Sequence, residues 1–105
     1  MPKLPIQADG KTIEIQEFSD ADERIVLIDD RFYRLWKIPD SDLFYFMVKV
    51  RENPRSIRGT HDKCIELLVR VHSIYRQYDN RVRKSKEDAQ RLRDKLLNDL
   101  AETVS

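Results

Sequence analysis

The chain has 105 residues, of which 40% are hydrophobic and 37% are charged, and its formal net charge at pH 7 is +1. This size allows one domain with a modest core, and the high charged fraction indicates a helix with much solvated surface. The single cysteine excludes an intramolecular disulfide, and the sequence has neither a bilayer-spanning apolar stretch nor the apolar run of a signal peptide. We therefore expect an intracellular protein, with the cytoplasm as its default location.

The first half of the sequence predicts an α+β fold that begins with a small antiparallel β-meander of three or four strands. Residues 11–18 alternate between apolar and polar side chains, which is typical of a half-buried or edge strand. Residues 24–38 predict a hairpin, and residues 43–50 predict a further strand. Residues 1–10 are predicted to form an extended lead-in segment before this sheet.

The last predicted strand carries apolar side chains on both faces. Alternation puts Phe44 and Phe46 on one face, and Leu43, Tyr45 and Met47 on the other. A sheet with one solvated face would have polar residues at alternate positions. We predict that Phe44 and Phe46 pack against the chain's own helix. The second face would be covered by a loop, the N-terminal arm or a second subunit.

An arginine-rich segment follows the predicted strands. Residues 51–59 are predicted to form a loop, because they contain a proline and end at a glycine. Thr60 is the predicted N-cap of a helix. The sheet portion, residues 1–59, and the helical portion, residues 60–105, would together form a single domain.

Residues 60–104 contain no glycine or proline, and their apolar spacing predicts one long amphipathic C-terminal helix. The apolar stripe is wide up to Tyr78 and narrower beyond it, where the spacing is typical of a coiled coil. A helical hairpin broken near residues 80–85 is the alternative, because Ser85 begins a weak capping box. We favour the single helix, since the alternating steps of four and three residues continue through Ser85.

The narrow part of the stripe predicts self-association, because a helix of this length needs packing to be stable in water. The predicted oligomer interface consists of Val82, Ala89, Leu92, Leu96 and Leu100. We therefore expect a homodimer or other homo-oligomer, with an adaptor, assembly or scaffolding role as a protein-protein interaction module. A heterologous protein partner is a further option.

The sequence carries no enzyme motif. Its two glycines cannot build a phosphate-binding glycine-rich loop, and no serine lies in a nucleophile elbow. The soft metal ligands are His61, Cys64 and His72, and on a straight helix His72 lies more than two turns beyond Cys64. We expect no catalytic residue, no metal site and no cofactor.

Charge is distributed unevenly along the chain. Residues 1–48 carry a net charge of −4, residues 49–86 carry +7 and residues 87–105 carry −2. The basic segment 49–86 favours nucleic-acid binding as the alternative function, and its arginines near a helix N-terminus could also bind an anion. Residues 32–37 interleave aromatic and basic side chains, as nucleic-acid-stacking sheets do. The candidate binding residues are Arg55, Arg58, Arg76, Arg81, Arg83, Lys84 and Lys86.

Overall fold

The computed structural model describes residues 3–8, 11–20 and 22–104 of the chain, with side chains described from residue 14 onward. The fold is α+β, as predicted, with an antiparallel sheet followed by two helices. The strands are β1 (Lys3–Ala8), β2 (Lys11–Asp20), β3 (Glu23–Ile28), β4 (Arg31–Lys37), β5 (Leu43–Val50) and β6 (Asn53–Thr60). The helices are α1 (His61–Val82) and α2 (Lys86–Val104).

The sheet is a six-stranded meander in which each strand pairs with its neighbours in sequence. The predicted antiparallel sheet is confirmed, but it has more strands than the three or four predicted. The prediction missed β1, which lies in the predicted lead-in, and β6, which lies in the predicted loop over residues 51–59. Pro54 is compatible with β6 because this strand is at the edge of the sheet, where not every backbone N–H needs a partner in the ladder.

The two helices form a hairpin, so the prediction of one continuous helix over residues 60–104 is wrong and the hairpin alternative is confirmed. α1 begins at the predicted N-cap, where the Lys63 N–H donates to Thr60 Oγ1 at 3.3 Å. α2 begins after Ser85, whose Oγ accepts from the Asp88 N–H at 3.3 Å. This local cap, together with burial of α2 on α1 and the sheet, outweighs the continuous heptad spacing.

The core lies between the helical hairpin and one face of the sheet, which we call the inner face. Phe44 and Phe46 lie on this face and are 8% and 1% exposed, as predicted. The other fully buried large side chains of the core come from both layers. They are Ile15, Val26, Ile28, Leu35, Ile57, Leu67, Leu68, Val71 and Leu97.

Candidate interaction surface on the sheet

The outer face of the sheet, opposite to the helices, is not covered by any described part of the chain. It carries Phe32, Leu43 and Met47, which are 65%, 42% and 45% exposed. No described loop lies over these side chains, and the N-terminal residues of β1 extend the sheet edge instead. Among the described residues, neither a loop nor the N-terminal strand lies over this face, and a second subunit as its cover stays a prediction.

An aromatic pair joins β4 to β5 on the outer face. Trp36 of β4 and Tyr45 of β5 are cross-strand partners, and their rings stack with centroids 5.5 Å apart. Stacked pairs of this kind contribute about 0.5–1.5 kcal/mol beyond their burial. We define the outer patch as the apolar residues of this face, namely Phe18, Ile25, Leu27, Phe32, Trp36, Leu43, Tyr45 and Met47.

The charged side chains that the structure describes around the outer patch are segregated by sign. The outer positions of β2 and β3 carry acidic residues, and those of β4, β5 and β6 carry basic residues. The acidic residues are Glu14, Asp20 and Glu23, and the basic residues are Arg34, Lys49 and Arg58. Arg34 lies 3.4 Å from Glu23, across the boundary between the two sides. The outer face therefore has an acidic side, an apolar centre and a basic side.

The residues predicted to form the oligomer interface lie within the helical hairpin. Ala89 and Leu100 are 0% and 4% exposed, whereas Val82, Leu92 and Leu96 are half-buried. The hairpin folds α2 onto α1 and the inner face, so the apolar seam is largely covered inside one chain. A second chain is not required to cover it, and pairing through these residues stays a prediction.

The predicted anion- and nucleic-acid-binding residues lie in separate places. Arg55 points to α2, where its guanidinium pairs with Glu102 at 3.0 Å, and Arg76 lies 3.5 Å from Asp29. Arg58 lies on the outer face. The remaining exposed basic residues surround the turn between the helices, and they are Arg81, Arg83, Lys84 and Lys86. The fold does not bring the whole set into one continuous strip.

A buried histidine that the sequence did not single out as a site joins α1 to the β3–β4 turn. His72 is 1% exposed, and its Nδ1 lies 2.9 Å from the hydroxyl of Tyr33, while its Nε2 lies 2.9 Å from Asp29 Oδ2. Burial raises the pKa of Tyr33, so the phenol stays protonated and can donate to Nδ1. Nε2–H then donates to the Asp29 carboxylate. The arrangement tethers a turn whose Asp29 has a positive φ of 54°.

Cys64 and the two histidines all form hydrogen bonds with other residues of the chain. The Cys64 thiol donates to the carbonyl oxygens of Phe44 and Gly59 at 3.6 Å each, and burial raises its pKa to about 11. A thiol with that pKa is protonated at neutral pH and is a poor nucleophile. Among the residues with described structure, no three His, Cys, Asp or Glu side chains are grouped to hold a metal ion.

His61 connects the start of α1 to β2. Its Nε2 lies 2.7 Å from Glu17 Oε1. Burial lowers the pKa of His61, but the hydrogen bond and the charge of Glu17 outweigh this effect and raise the pKa above its ordinary value of 6.5. A histidine whose pKa is raised by folding stabilises the fold most in its protonated form.

We expect the free energy of unfolding to fall as the pH rises from about 6.5 through the folded-state pKa of His61. Below that window the contribution is fully present, because the imidazole is protonated in both states. Urea unfolding between about pH 5.5 and 8.5 measures the slope, and His61→Gln should flatten it. Glu66→Gln, an exposed change on the same helix, is the control. An unchanged slope in His61→Gln would assign the pH dependence to another group.

Comparison of the chain with protein-family models, with curated proteins and with solved structures finds no match. Neither helix in the described residues is both long enough and apolar enough to cross a lipid bilayer. The function is therefore inferred from the geometry and chemistry of the residues described above.

Proposed function

We propose that the chain is a non-enzymatic protein-protein interaction module that pairs with a second copy of itself through the outer face of its sheet. The exposure of Phe32, Leu43 and Met47 on a face without a described cover is the observation that carries this proposal. Large apolar side chains that are exposed on one face among charged residues are typical of interaction sites. The proposal keeps the homodimer and the adaptor, assembly or scaffolding role expected from the sequence, and moves the contact from α2 to the sheet.

The charge pattern of the outer face favours a second copy as the partner. A two-fold axis parallel to the strands would place β2 and β3 of one protomer over β5 and β6 of its partner. The acidic side of each protomer then faces the basic side of the other, and this match occurs twice in the dimer. Two sheets packed face to face with strands about 30° apart form a common arrangement in proteins.

The apolar residues fit the same axis. In the row of strands from β2 to β6 the central strand is β4, which carries Phe32 and Trp36 on its outer face. The two-fold axis would pass close to this strand, so that Phe32 of each protomer lies near Phe32 of the other. The most exposed apolar side chain would thus be buried at the centre, where interface residues contribute most to binding.

The hydrogen bonds and burial of the reactive side chains support a non-enzymatic role. His61 and His72 are each held by a carboxylate within the fold, and Cys64 is fully buried with a raised pKa. Catalytic groups need access to a substrate and a pKa suited to proton transfer or attack. These residues instead connect the helices to the sheet.

We expect the unmodified protein to be a dimer and the double variant Phe32→Asp with Met47→Asp to be a monomer. Buried unpaired charges at the interface should raise the dissociation constant by about a hundredfold or more. Both side chains are exposed in one chain, so the helix signal in circular dichroism should be retained. Sedimentation equilibrium measures the mass of each protein.

Gln77→Asp with Asn80→Asp is the matched control, because it adds the same charge at exposed positions of α1. It should remain dimeric. A monomeric unmodified protein at about 100 μM would contradict the proposal, since a biological homodimer is expected to bind more tightly. Loss of the dimer in Leu92→Asp, with the outer-face variant still dimeric, would assign the contact to α2.

Nucleic-acid binding is the second candidate, and one observation favours it. The Trp36–Tyr45 stack and the exposed Phe32 lie beside Arg34 and Arg58 on the same face. Aromatic rings next to basic side chains form stacking platforms for single-stranded nucleic acid. Trp36 is the only tryptophan, so quenching of its fluorescence by single-stranded RNA at low salt would support this candidate. Unchanged fluorescence would remove it.

A further inference from the structure

A groove of about 420 Å³ lies between the β5–β6 turn and α2, away from the outer face. One wall comes from the turn and the following strand, and the other wall comes from one face of α2, where residues four apart are neighbours. The lining residues are Val50, Arg51, Asn53 and Arg55 on the first wall, and Arg91, Asp94, Lys95 and Asn98 on the second.

The groove has a surplus of positive charge. Its one acidic residue, Asp94, accepts the backbone N–H of Arg51 at 3.3 Å and lies 3.8 Å from Nε of Arg93, a residue outside the lining. Within the described part of the chain, the Arg51 guanidinium and the Lys95 ammonium form no ion pair and no hydrogen bond. Arg91 has only a 3.9 Å contact with Asp88. Three cationic side chains therefore border the groove, and acidic side chains of the chain neutralise little of their charge.

Arg51 also has an unusual backbone conformation, with a φ of 58°. The left-handed region costs a residue with a side chain about 1–2 kcal/mol, and glycine, asparagine and aspartate adopt it most readily. The other positive-φ positions, Asp29 and Asp40, are aspartates, whereas position 51 is an arginine. Arg51 is the first residue of the two-residue turn between the paired residues Val50 and Asn53, and a positive φ at this position is usual for such hairpin turns. The turn fixes the backbone of Arg51 at the mouth of the groove.

We infer that this groove binds the phosphate group of a small anionic ligand through Arg51, Arg91 and Lys95. A guanidinium donates two parallel N–H groups to phosphate oxygens, and an ammonium adds a mobile positive charge. The volume lies within the usual range for small-molecule sites, about 300–1,000 Å³, so the groove accepts more than an isolated phosphate. The site does not depend on the proposed dimer, because it lies on the helix side of the sheet.

Isothermal titration calorimetry of the full chain with inorganic pyrophosphate at low salt tests the inference. Arg51→Gly and Lys95→Gln should each weaken binding about tenfold, since each removes a charge-assisted contact. Arg51→Gly should keep or raise the midpoint of thermal unfolding, because glycine relieves the positive φ. Arg70→Gln, an exposed change on α1 that removes the same charge, is the control and should leave the affinity unchanged.

A parallel titration with ATP separates two sources of the phosphate. Tighter binding of ATP than of pyrophosphate would show that the groove also contacts a nucleoside, and equal binding would indicate a free polyphosphate. The inference is overturned if pyrophosphate gives no heat up to about 1 mM. It is also overturned if Arg70→Gln weakens binding as much as Lys95→Gln, since that would be a general charge effect.

Discussion

Replacing Phe46 with alanine is expected to lower the free energy of unfolding by about 3–5 kcal/mol, the usual loss for a buried aromatic side chain. Phe46 is 1% exposed and is paired with Ile57 in the register of β5 and β6. Both side chains face the helices, and Leu67 and Leu68 of α1 belong to the same core. The rigid sheet cannot collapse fully into the space that the ring leaves, so a cavity adds to the lost burial.

Met47→Ala is the control for this prediction, because Met47 is the next residue in β5 but lies on the outer face, where it is 45% exposed. Its truncation should cost less than about 1 kcal/mol. Both changes are made in the Phe32→Asp background, so that self-association does not contribute, and urea unfolding followed by circular dichroism gives the free energies. Equal losses at the two positions would show that the inner and outer faces have been assigned wrongly.

Replacing His72 with alanine is expected to cost about 2–4 kcal/mol, although the residue is polar. The change removes a fully buried ring and leaves the Tyr33 hydroxyl without its bond to Nδ1. It also takes a hydrogen bond from Asp29, whose Oδ2 lies 3.5 Å from Arg76 as well. The cost therefore has two parts, lost packing and unsatisfied polar groups. The second part arises only if His72 is hydrogen-bonded to Tyr33 and Asp29 in the folded protein.

A double-mutant cycle separates these two parts. Tyr33→Phe keeps the ring and removes the hydroxyl, so the coupling between Tyr33→Phe and His72→Ala should be about 0.5–3 kcal/mol if the hydrogen bond contributes. His61→Ala serves as the comparison, since His61 is partly exposed and should cost less. A loss below about 1 kcal/mol in His72→Ala, as at an ordinary surface position, would contradict the tether.

The sequence predicted the fold class and the division of β5 into two faces, because both depend on local periodicity. Alternation through residues 43–50 placed Phe44 and Phe46 correctly, since the side-chain period of a strand is two. β6 was missed because Pro54 and Gly59 lower the strand propensity of its segment. Its formation depends on pairing with β5, which is a contact between chain segments rather than a property of residues 53–60.

The break between α1 and α2 shows where a repeating pattern can mislead. The heptad spacing through Ser85 is satisfied equally by a long coiled coil and by a hairpin whose two arms pack on one sheet. The Ser85 cap could be identified in the sequence. Whether it ends the helix depends on how much surface α2 buries when it folds back. Leu97 and Leu100 are buried in the common core, and this burial decides between the two structures.

The candidate surface could be predicted only in part. The two-sided apolar pattern of β5 indicated that Leu43, Tyr45 and Met47 need a cover, but which face the helices occupy is settled by packing. The segregation of charge can be predicted only when the strand order is known. Glu14 and Arg58 are remote in sequence and share a face only in the folded sheet. Likewise, the partners of His72 lie 39 and 43 residues away, and no local signal marks them.

The most direct test of the proposed face-to-face dimer uses two charge variants of the outer face. The first carries Glu14→Lys and Asp20→Lys, which makes the acidic side basic. The second carries Lys49→Glu and Arg58→Glu, which makes the basic side acidic. With the two-fold axis parallel to the strands, each variant places like charges against its own copy, which opposes pairing.

Native mass spectrometry of the variants, alone and mixed in equal amounts, is therefore the decisive measurement. The proposal predicts that each variant alone is a monomer, because both sides of its outer face carry the same net sign. Glu23 and Arg34, which pair with each other, are unchanged in both variants. It predicts a heterodimer on mixing, since each side of one chain then faces the opposite sign on the other. Variants that dimerise alone as tightly as the unmodified chain, or a mixture that stays monomeric, would contradict it.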